Sequence, residues 1–532
     1  MEQAKVIGRG TWLDKVASEV VAREKELGRS LSLLRVESGL GASGLPHIGT
    51  VGDAIRSYGV KLALETLGYK SELVAYSDDF DGLRKVPAGF PSWLKDYISH
   101  PVSRIPDPFG CHSTYAEHVG HLLRDSLDKL GIEYRFQSGA DAYKSGILND
   151  QIRVILTHAG IVGKKINELV GQSKYEGRLP FTPVCGQCGR IYTTQALSFD
   201  AKHDLVSYKC EGTELGEKFL KGCGFEGEAK VTEGNGKLMW KVEFAARWAA
   251  LDIRFEAYGK ELIDSVKIND WVAEHVLNFP PPYHARYEHF QDKSGRKISK
   301  SVGNLVTPSE WLQYASPESL RLLMYKRIVG ARNVSIEDVP LYMDEFDALE
   351  DYYFSKKKDP NPMKDAKQRG LYEYSVLLKA PTGPETHVPY RLLGQLAAVA
   401  PPHDLEGFVL KRLEGYGIKA DAKSMALRVH WAAAFAGREG KGAPPEVDIS
   451  AGARKALSQF VEGLPKCKTA DDVQNLAFDS AKKNGLKPGE LFPVVYQILL
   501  GVERGPRLGP YVVDVGPTHV STRIKDALAA ST

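Results

Sequence analysis

An apolar run from Leu31 to Glu37 (LSLLRVE) feeds directly into a turn with three glycines and a proline (SGLGASGLP), and a helical pattern then runs from His47 to about Leu67. A second strand-like run, Ser71 to Asp79 (SELVAYSDD), follows. Strand, glycine turn, helix and strand make a βαβ unit, so the two strands are expected to be parallel with the helix covering one face. Ligands of such sheets gather at the carboxyl ends of the strands. This one feature commits the first part of the chain to a layered α/β architecture.

The remainder divides by character. A helix-rich stretch from about Ser113 to Leu169 leads to a cluster of cysteines. KLMWKVEFAARWAALDIRFEAYG, Lys237 to Gly259, then returns to aromatic-rich, sheet-like sequence, so the sheet is expected to be interrupted and resumed. From about Pro308 helical patterns are joined by Pro and Gly. SMALRVHWAAAFAGR, ARKALSQFVEGL and ADDVQNLAFDSAKKNG read as three amphipathic helices, while Leu371 to Pro402 and Gly440 to Ile449 read as connections. No internal repeat is visible.

Bulk properties exclude some classes. A chain of 532 residues is long enough for three to four domains. It is 43% apolar and 26% charged, and no apolar run approaches the roughly 20 residues that span a bilayer. The amino terminus carries acids and no apolar core, so no secretory leader and a cytoplasmic location are expected. A formal charge of +3 requires any polyanion site to be local.

Four of the six cysteines fall within 39 residues, as C-x2-C-x21-C-x12-C at Cys185, Cys188, Cys210 and Cys223. Cys111 and Cys467 stand alone. Glycines flank the first pair and Cys223, which suits tight turns presenting thiolates to a tetrahedral zinc. His203 is an alternative ligand. Four cysteines leave no open position, so the zinc is expected to be structural.

Two short motifs bear on chemistry. In ASGLPHIGT (Ala42 to Thr50) His47 opens a helix, where unpaired N–H groups and the helix dipole favour phosphate. Its imidazole either donates to phosphoryl oxygens or merely caps the helix. In SGRKISKSVGN (Ser294 to Asn304) three cations stand among serines and glycines, either as a solvated loop or as a mobile clamp on a polyphosphate.

Together, His47-Ile48-Gly49-Thr50 and Lys297-Ile298-Ser299-Lys300-Ser301 resemble the HIGH and KMSKS motifs of class I aminoacyl-tRNA synthetases. YSDDFDGLRKVP (Tyr76 to Pro87), PDPFGCHSTYAEH (Pro106 to His118), WKVEFAARW (Trp240 to Trp248), FEAYGKELIDSV (Phe255 to Val266) and LLGVERGPRLG (Leu499 to Gly509) extend the likeness over nearly the whole chain. They resemble class I lysyl-tRNA synthetase, the archaeal type also found in some bacteria.

The resemblance implies an α/β Rossmann catalytic domain in two halves (1–175 and 236–306) around a zinc-binding insertion (176–235). A connecting helical fold (307–360) and an α-helical anticodon-binding domain (361–532) would follow. It implies lysine activation by ATP, with Mg²⁺ bridging the phosphates, and transfer to the terminal adenosine of tRNA(Lys). The implied catalytic residues are His47, Lys297 and Lys300. Gly44, Gly49, Thr50 and Ser299 join them at ATP, and Gly39, Gly41, Asp79, Trp240 and Tyr287 would hold lysine. Trp240 is otherwise an ordinary core aromatic, and Asp79 or its neighbour Asp81 an ion-pair partner of Arg84. Lys466, Lys468, Lys482, Lys483, Arg504 and Arg507 offer phosphate contacts to tRNA. No membrane partner is implied, and a monomer is expected.

Two positions depart from the family pattern. Thr50 stands where HIGH ends in histidine, and Leu262 where many members have histidine, so no pocket contact carries over to Leu262. Two rivals share many of these features. One is a class I enzyme for glutamate or another charged amino acid, whose pocket would need a cation where Trp240, Tyr287 and a carboxylate are expected. The other is an RNA-binding paralogue that does not aminoacylate.

Overall fold

Five parallel strands form the frame of the amino-terminal part. In this computed structural model, residues 6–42, 44–216, 218–296, 298, 305–438 and 447–530 are described. Helix α1 (Trp12–Glu26) precedes β1 (Leu34–Leu40), α2 (Ile48–Thr66) and β2 (Ser71–Ser77). Then come α3 (Tyr115–Lys129), β3 (Arg135–Ser138), α4 (Trp240–Leu251), β4 (Ile253–Gly259), α5 (Ile263–His275) and β5 (Tyr283–Tyr287). The strand order is β3-β2-β1-β4-β5, all parallel. The chain winds outward from β1 on one side, then returns to the other side with β4. Connections leaving β1 and β4 diverge, which opens a crevice at their carboxyl ends.

β1 lies three residues later than the apolar run suggested. Ser38, Gly39 and Leu40 read as turn residues, yet they pair opposite Ala75, Tyr76 and Ser77. Residues that alternate between the two sheet faces, Val36, Glu37 and Ser38, are all buried, as a strand covered on both sides requires. Ser57 of α2 donates to the carbonyl of Glu37 at 3.0 Å and ties the crossover helix to the strand.

Two other expectations are corrected. The stretch read as sheet from Lys237 splits into α4 and β4, because Asp252, at φ +56°, ends the helix in the left-handed conformation. Its aromatics, Trp240, Phe244 and Trp248, recur every four residues, which is helical spacing. Within the helix-rich stretch lies β3, only four half-buried residues long, too short for an alternating pattern to register.

The segment between β3 and α4 begins with three helices, Gly139–Lys144, Asn149–Thr157 and Ala159–Val170. A small β-rich body follows. Phe181–Pro183 and Gly236–Leu238 pair antiparallel and close its base. Thr194–Asp200, Leu205–Cys210 and Glu226–Lys230 form a three-stranded antiparallel sheet, and Gly212–Leu215 with Lys218–Lys221 a hairpin.

The chain divides into two compact units. The first comprises Met1–Pro308, Arg321–Val334 and Lys358–Lys379, and the second Ser309–Leu320, Ser335–Lys357 and Ala380–Thr532. Residues 361–379, read with the carboxy-terminal domain, therefore belong to the first unit. Helix Pro362–Ser375 is held there by the Tyr374 hydroxyl, which donates to Asp14 Oδ1 at 2.7 Å, and by the Arg9–Glu373 ion pair at 2.7 Å. The second unit is helical among its described residues. Ala422–Arg438, Ala451–Gly463 and Ala470–Lys483 match the three amphipathic patterns. Leu371 to Pro402 is no simple connection, since it also contains helix Tyr390–Val399, whose Leu392, Leu393 and Leu396 are fully buried.

Candidate active site and metal centre

The crevice at the ends of β1 and β4 is a cleft of about 540 Å³. Each wall is one face of an element. From β1 come Gly39 and the following Gly41, whose missing side chains leave open space. From the start of α2 come His47, Gly49, Thr50, Asp53 and Arg56, and from α4 Trp240, Phe244 and Arg247, both at one-turn intervals. β4 supplies Glu256, β5 supplies Tyr287, and His289 and Ile298 lie beyond it.

His47 is the N-cap of α2 and its Nδ1 accepts the Gly49 N–H at 3.1 Å. With Nδ1 committed as an acceptor, a neutral ring carries its proton on Nε2 and can donate from there. Gly49 is a steric requirement, because a Cβ there would lie 2.8 Å from the imidazole. The next backbone donor, Ile48 N–H, is taken by the carbonyl of Val306 at 2.9 Å. Ile298 is buried, lines the cleft and donates its N–H to Phe290 O at 3.0 Å. Ile298, within the cationic motif, thus lines the cleft, and Val306, just past the motif, is bonded to the start of α2. Lys297, Ser299 and Lys300 themselves lie outside the described residues.

Charge inside the cleft is organised around Arg247. Its guanidinium meets Glu37 of β1 at 2.8 Å, Asp78 just after β2 at 3.0 Å and Glu256 of β4 at 3.6 Å. Its faces cover the rings of Tyr76 and Phe244 at 4.4 and 4.7 Å. Burial pushes Glu37 up to about 8 and Asp78 to about 7, with Arg247 pulling both the other way. Asp53 is also held well above the ordinary carboxylate range by burial. Arg56, fully buried, stacks over Tyr287 at 4.3 Å. Among the described lining residues, Asp53, Asp78, Glu256, Glu261 and Glu288 outnumber Arg56, Lys85 and Arg247.

A buried polar chain fixes the Trp240 wall. Lys237, on the strand that closes the insertion, pairs with Asp81 and with Glu243 at 2.9 Å. Asp81 also accepts the Trp240 indole N–H at 3.2 Å. Tyr143 donates to Glu243 at 2.9 Å and accepts the Leu238 N–H at 2.9 Å.

Of the residues expected at the substrates, Gly39, Gly41, His47, Gly49, Thr50, Trp240 and Tyr287 line this cleft, and Gly44 is not among them. Asp79 is not there either. Successive residues leave a strand end on opposite sides, so Asp78 enters the cleft while Asp79 turns away and accepts the Ala140 N–H at 2.7 Å. Asp81 is partnered by Lys237 and Trp240, not by a bond to Arg84, which lies over the Tyr192 ring. Sequence reasoning missed Glu37, Asp53, Asp78, Arg247 and Glu256. The Trp240, Phe244, Arg247 spacing was the signal for one of them.

The four clustered cysteines converge. Cys185 and Cys223 Sγ lie 3.6 Å apart, Cys188 and Cys210 3.8 Å, and all four within 4.8 Å. A tetrahedron with metal–sulfur bonds of about 2.3 Å has edges of about 3.8 Å, so the set fits zinc without rearrangement. Gly222 permits it, since a Cβ there would strike the Cys210 carbonyl at 2.2 Å. His203 instead bonds Asp200 at 2.7 Å. Cys111 does not stand alone. Its Sγ lies 3.1 Å from His118 Nδ1 and 3.2 Å from His112 Nδ1, and with Asp107 these donors also fall within 4.8 Å. The signal was Asp-x3-Cys-His-x5-His.

Residues 10–377 match the family model for tRNA synthetases class I (K). A lysine–tRNA ligase of Cenarchaeum symbiosum (strain A) is 47% identical over 526 residues, covering 98% of this chain and 100% of that one. One of Rickettsia bellii (strain OSU 85-389) is 31% identical over 512 residues, covering 92% and 93%. A solved glutamate–tRNA synthetase from Elizabethkingia anophelis covers 93% of this chain and 99% of its own at 13% identity and a TM-score of 0.32, too distant to bear on the substrate.

Proposed function

This chain belongs to the class I (K) tRNA synthetase family, and on that premise we propose that it works as a lysine–tRNA ligase with its chemistry in the cleft between β1 and β4. The observation that carries the lysine reading is the charge balance. Arg247, the cation a glutamate substrate would need, is already met by three carboxylates. Carboxyls that burial holds up at about 7 and about 8 ionise readily against an incoming ammonium, so this lining favours a cationic side chain, while an acidic one would push them up further. Trp240, Phe244 and Tyr287 offer aromatic walls for the aliphatic stem and for cation–π contact.

In the first step the lysine carboxylate attacks the α-phosphorus of ATP and pyrophosphate departs. His47 Nε2–H donates to phosphoryl oxygens as charge develops, with the positive end of the α2 dipole behind it. Lys297 and Lys300 neutralise the departing pyrophosphate, a stabilisation that grows toward the transition state. Mg²⁺ accompanies ATP. In the second step the 2′-hydroxyl of the terminal adenosine of tRNA attacks the lysyl carbonyl and AMP leaves. The four thiolates hold zinc in a structural role.

Pyrophosphate exchange measured with lysine and with glutamate, with and without tRNA, tests the proposal. Lysine-dependent exchange is expected. Exchange with glutamate alone would overturn it.

A further inference from the structure

The β-rich insertion is tied to the wall of the cleft at both of its ends. Its exit strand brings Lys237 to Asp81. Its entry carries the first cysteine turn, in which Gly189 N–H donates to the Cys185 carbonyl and Cys185 N–H to the Arg190 carbonyl, both at 2.9 Å. The next two residues pass straight onto the segment that follows β2. Ile191 N–H donates to the Ser99 carbonyl at 2.7 Å, and Tyr192 N–H to the Ser99 hydroxyl at 2.9 Å. Ser99 is fully buried and left-handed, at φ +72°, a conformation that a residue other than glycine keeps only where its surroundings enforce it. Its own N–H donates to the Leu83 carbonyl at 2.7 Å. The Tyr192 hydroxyl in turn accepts the Gly82 N–H at 3.0 Å. Only glycine allows this approach, since a Cβ at Gly82 would lie 2.7 Å from the Tyr192 ring and 2.8 Å from the Ile191 side chain.

The Gly82 N–H belongs to the peptide that leaves Asp81, so Tyr192 fixes the backbone on which that carboxylate is mounted. Asp81 then holds the Trp240 indole N–H at 3.2 Å. Tyr192 is not among the residues lining the cleft, and it reaches the amino-acid wall only through these partners. The opposite wall, where His47 starts α2, takes no part in the chain of contacts. A displacement passed along it therefore bears on the group packed against Trp240 and spares phosphoryl chemistry. We propose that Tyr192 is a positioning residue for amino-acid recognition, which carries the set of the thiolate turn through Gly82 and Asp81 to Trp240. This rests on the ligase reading.

The test is a double-variant cycle on the full chain, read by lysine-dependent pyrophosphate exchange with tRNA present. Tyr192→Phe keeps the ring packed and removes the acceptor of the Gly82 N–H. It should raise KM for lysine about tenfold and leave kcat and KM for ATP within about twofold. Trp240→Phe removes the indole N–H, and in that background Tyr192→Phe should add nothing. Equilibrium dialysis with labelled lysine and with ATP gives a readout apart from turnover. Stripping the thiolate site with chelator should weaken lysine binding about tenfold in the wild type and less than about twofold further in Tyr192→Phe, with ATP binding unchanged in both. An unchanged KM for lysine in Tyr192→Phe, effects that multiply in the double variant, or equal loss of lysine and ATP binding would overturn the proposal. If the wild type shows no lysine-dependent exchange, the ligase reading fails instead, a result seen before any variant is made.

Discussion

Replacing Lys237 by Met should expose how strongly the return from the insertion governs the amino-acid wall. The Lys237 side chain is 4% exposed, and its partners Asp81 and Glu243 are 14% and 2% exposed. At an effective dielectric constant of about 20, the 2.9 Å contact to Glu243 amounts to about 6 kcal/mol of gross attraction. Desolvation offsets most of that, but removing the ammonium alone leaves two carboxylates buried without it, and such losses run to about 3–5 kcal/mol. Methionine retains the stem, so little of the loss comes from a cavity. Denaturant unfolding followed by tryptophan fluorescence should register about 3–5 kcal/mol of destabilisation, and Glu243→Gln in the same background should recover part of it. Because Asp81 anchors the Trp240 indole, KM for lysine should rise more than kcat falls. A loss under about 1 kcal/mol, the range of an exposed pair, together with an unchanged KM would refute this reasoning.

Other outcomes follow from the same geometry. His47→Ala should lower kcat for pyrophosphate exchange about 10²- to 10³-fold with KM for lysine little changed, since the imidazole acts on developing phosphoryl charge. Cys210→Ser should lower the zinc content after dialysis against chelator, measured by emission spectrometry, and proteolysis should then begin between Cys185 and Cys223. Asp78, raised to about 7, contributes stability that is present at low pH and is lost as pH rises through that value. Lysine binding runs the other way, so KM should increase as pH falls from 8 to 6, and Asp78→Asn should flatten the profile.

Much of the fold was legible because glycines and apolar runs mark the crossover from β1 to β2, and the helices of the second unit carry clean 3.6-residue periodicity. Strand β3 was hidden by its length and α4 by its aromatics. The α2 wall of the cleft was legible for a similar reason, since a helix start announces itself locally through His47 and Gly49. The charged side was not. Glu37, Asp78, Glu256 and Arg247 sit in four separate segments, and each looks like an ordinary strand or helix residue until the sheet order brings them together. Asp79 stands in for Asp78 in the sequence reading because sequence alone does not fix on which side of a strand end a side chain leaves.

Arg247 has a mechanical meaning as well. A doubly wound sheet is weakest as a container where its two halves part, since no connection crosses that seam at the ligand end. One planar cation there touches the β1, β2 and β4 ends at once, so any breathing of the seam must pull apart unlike charges out of reach of water. A lysine, with a single point of charge, could not grip three carboxylates from one plane. The mouth of the cleft is thereby fastened across three strand ends by a single side chain.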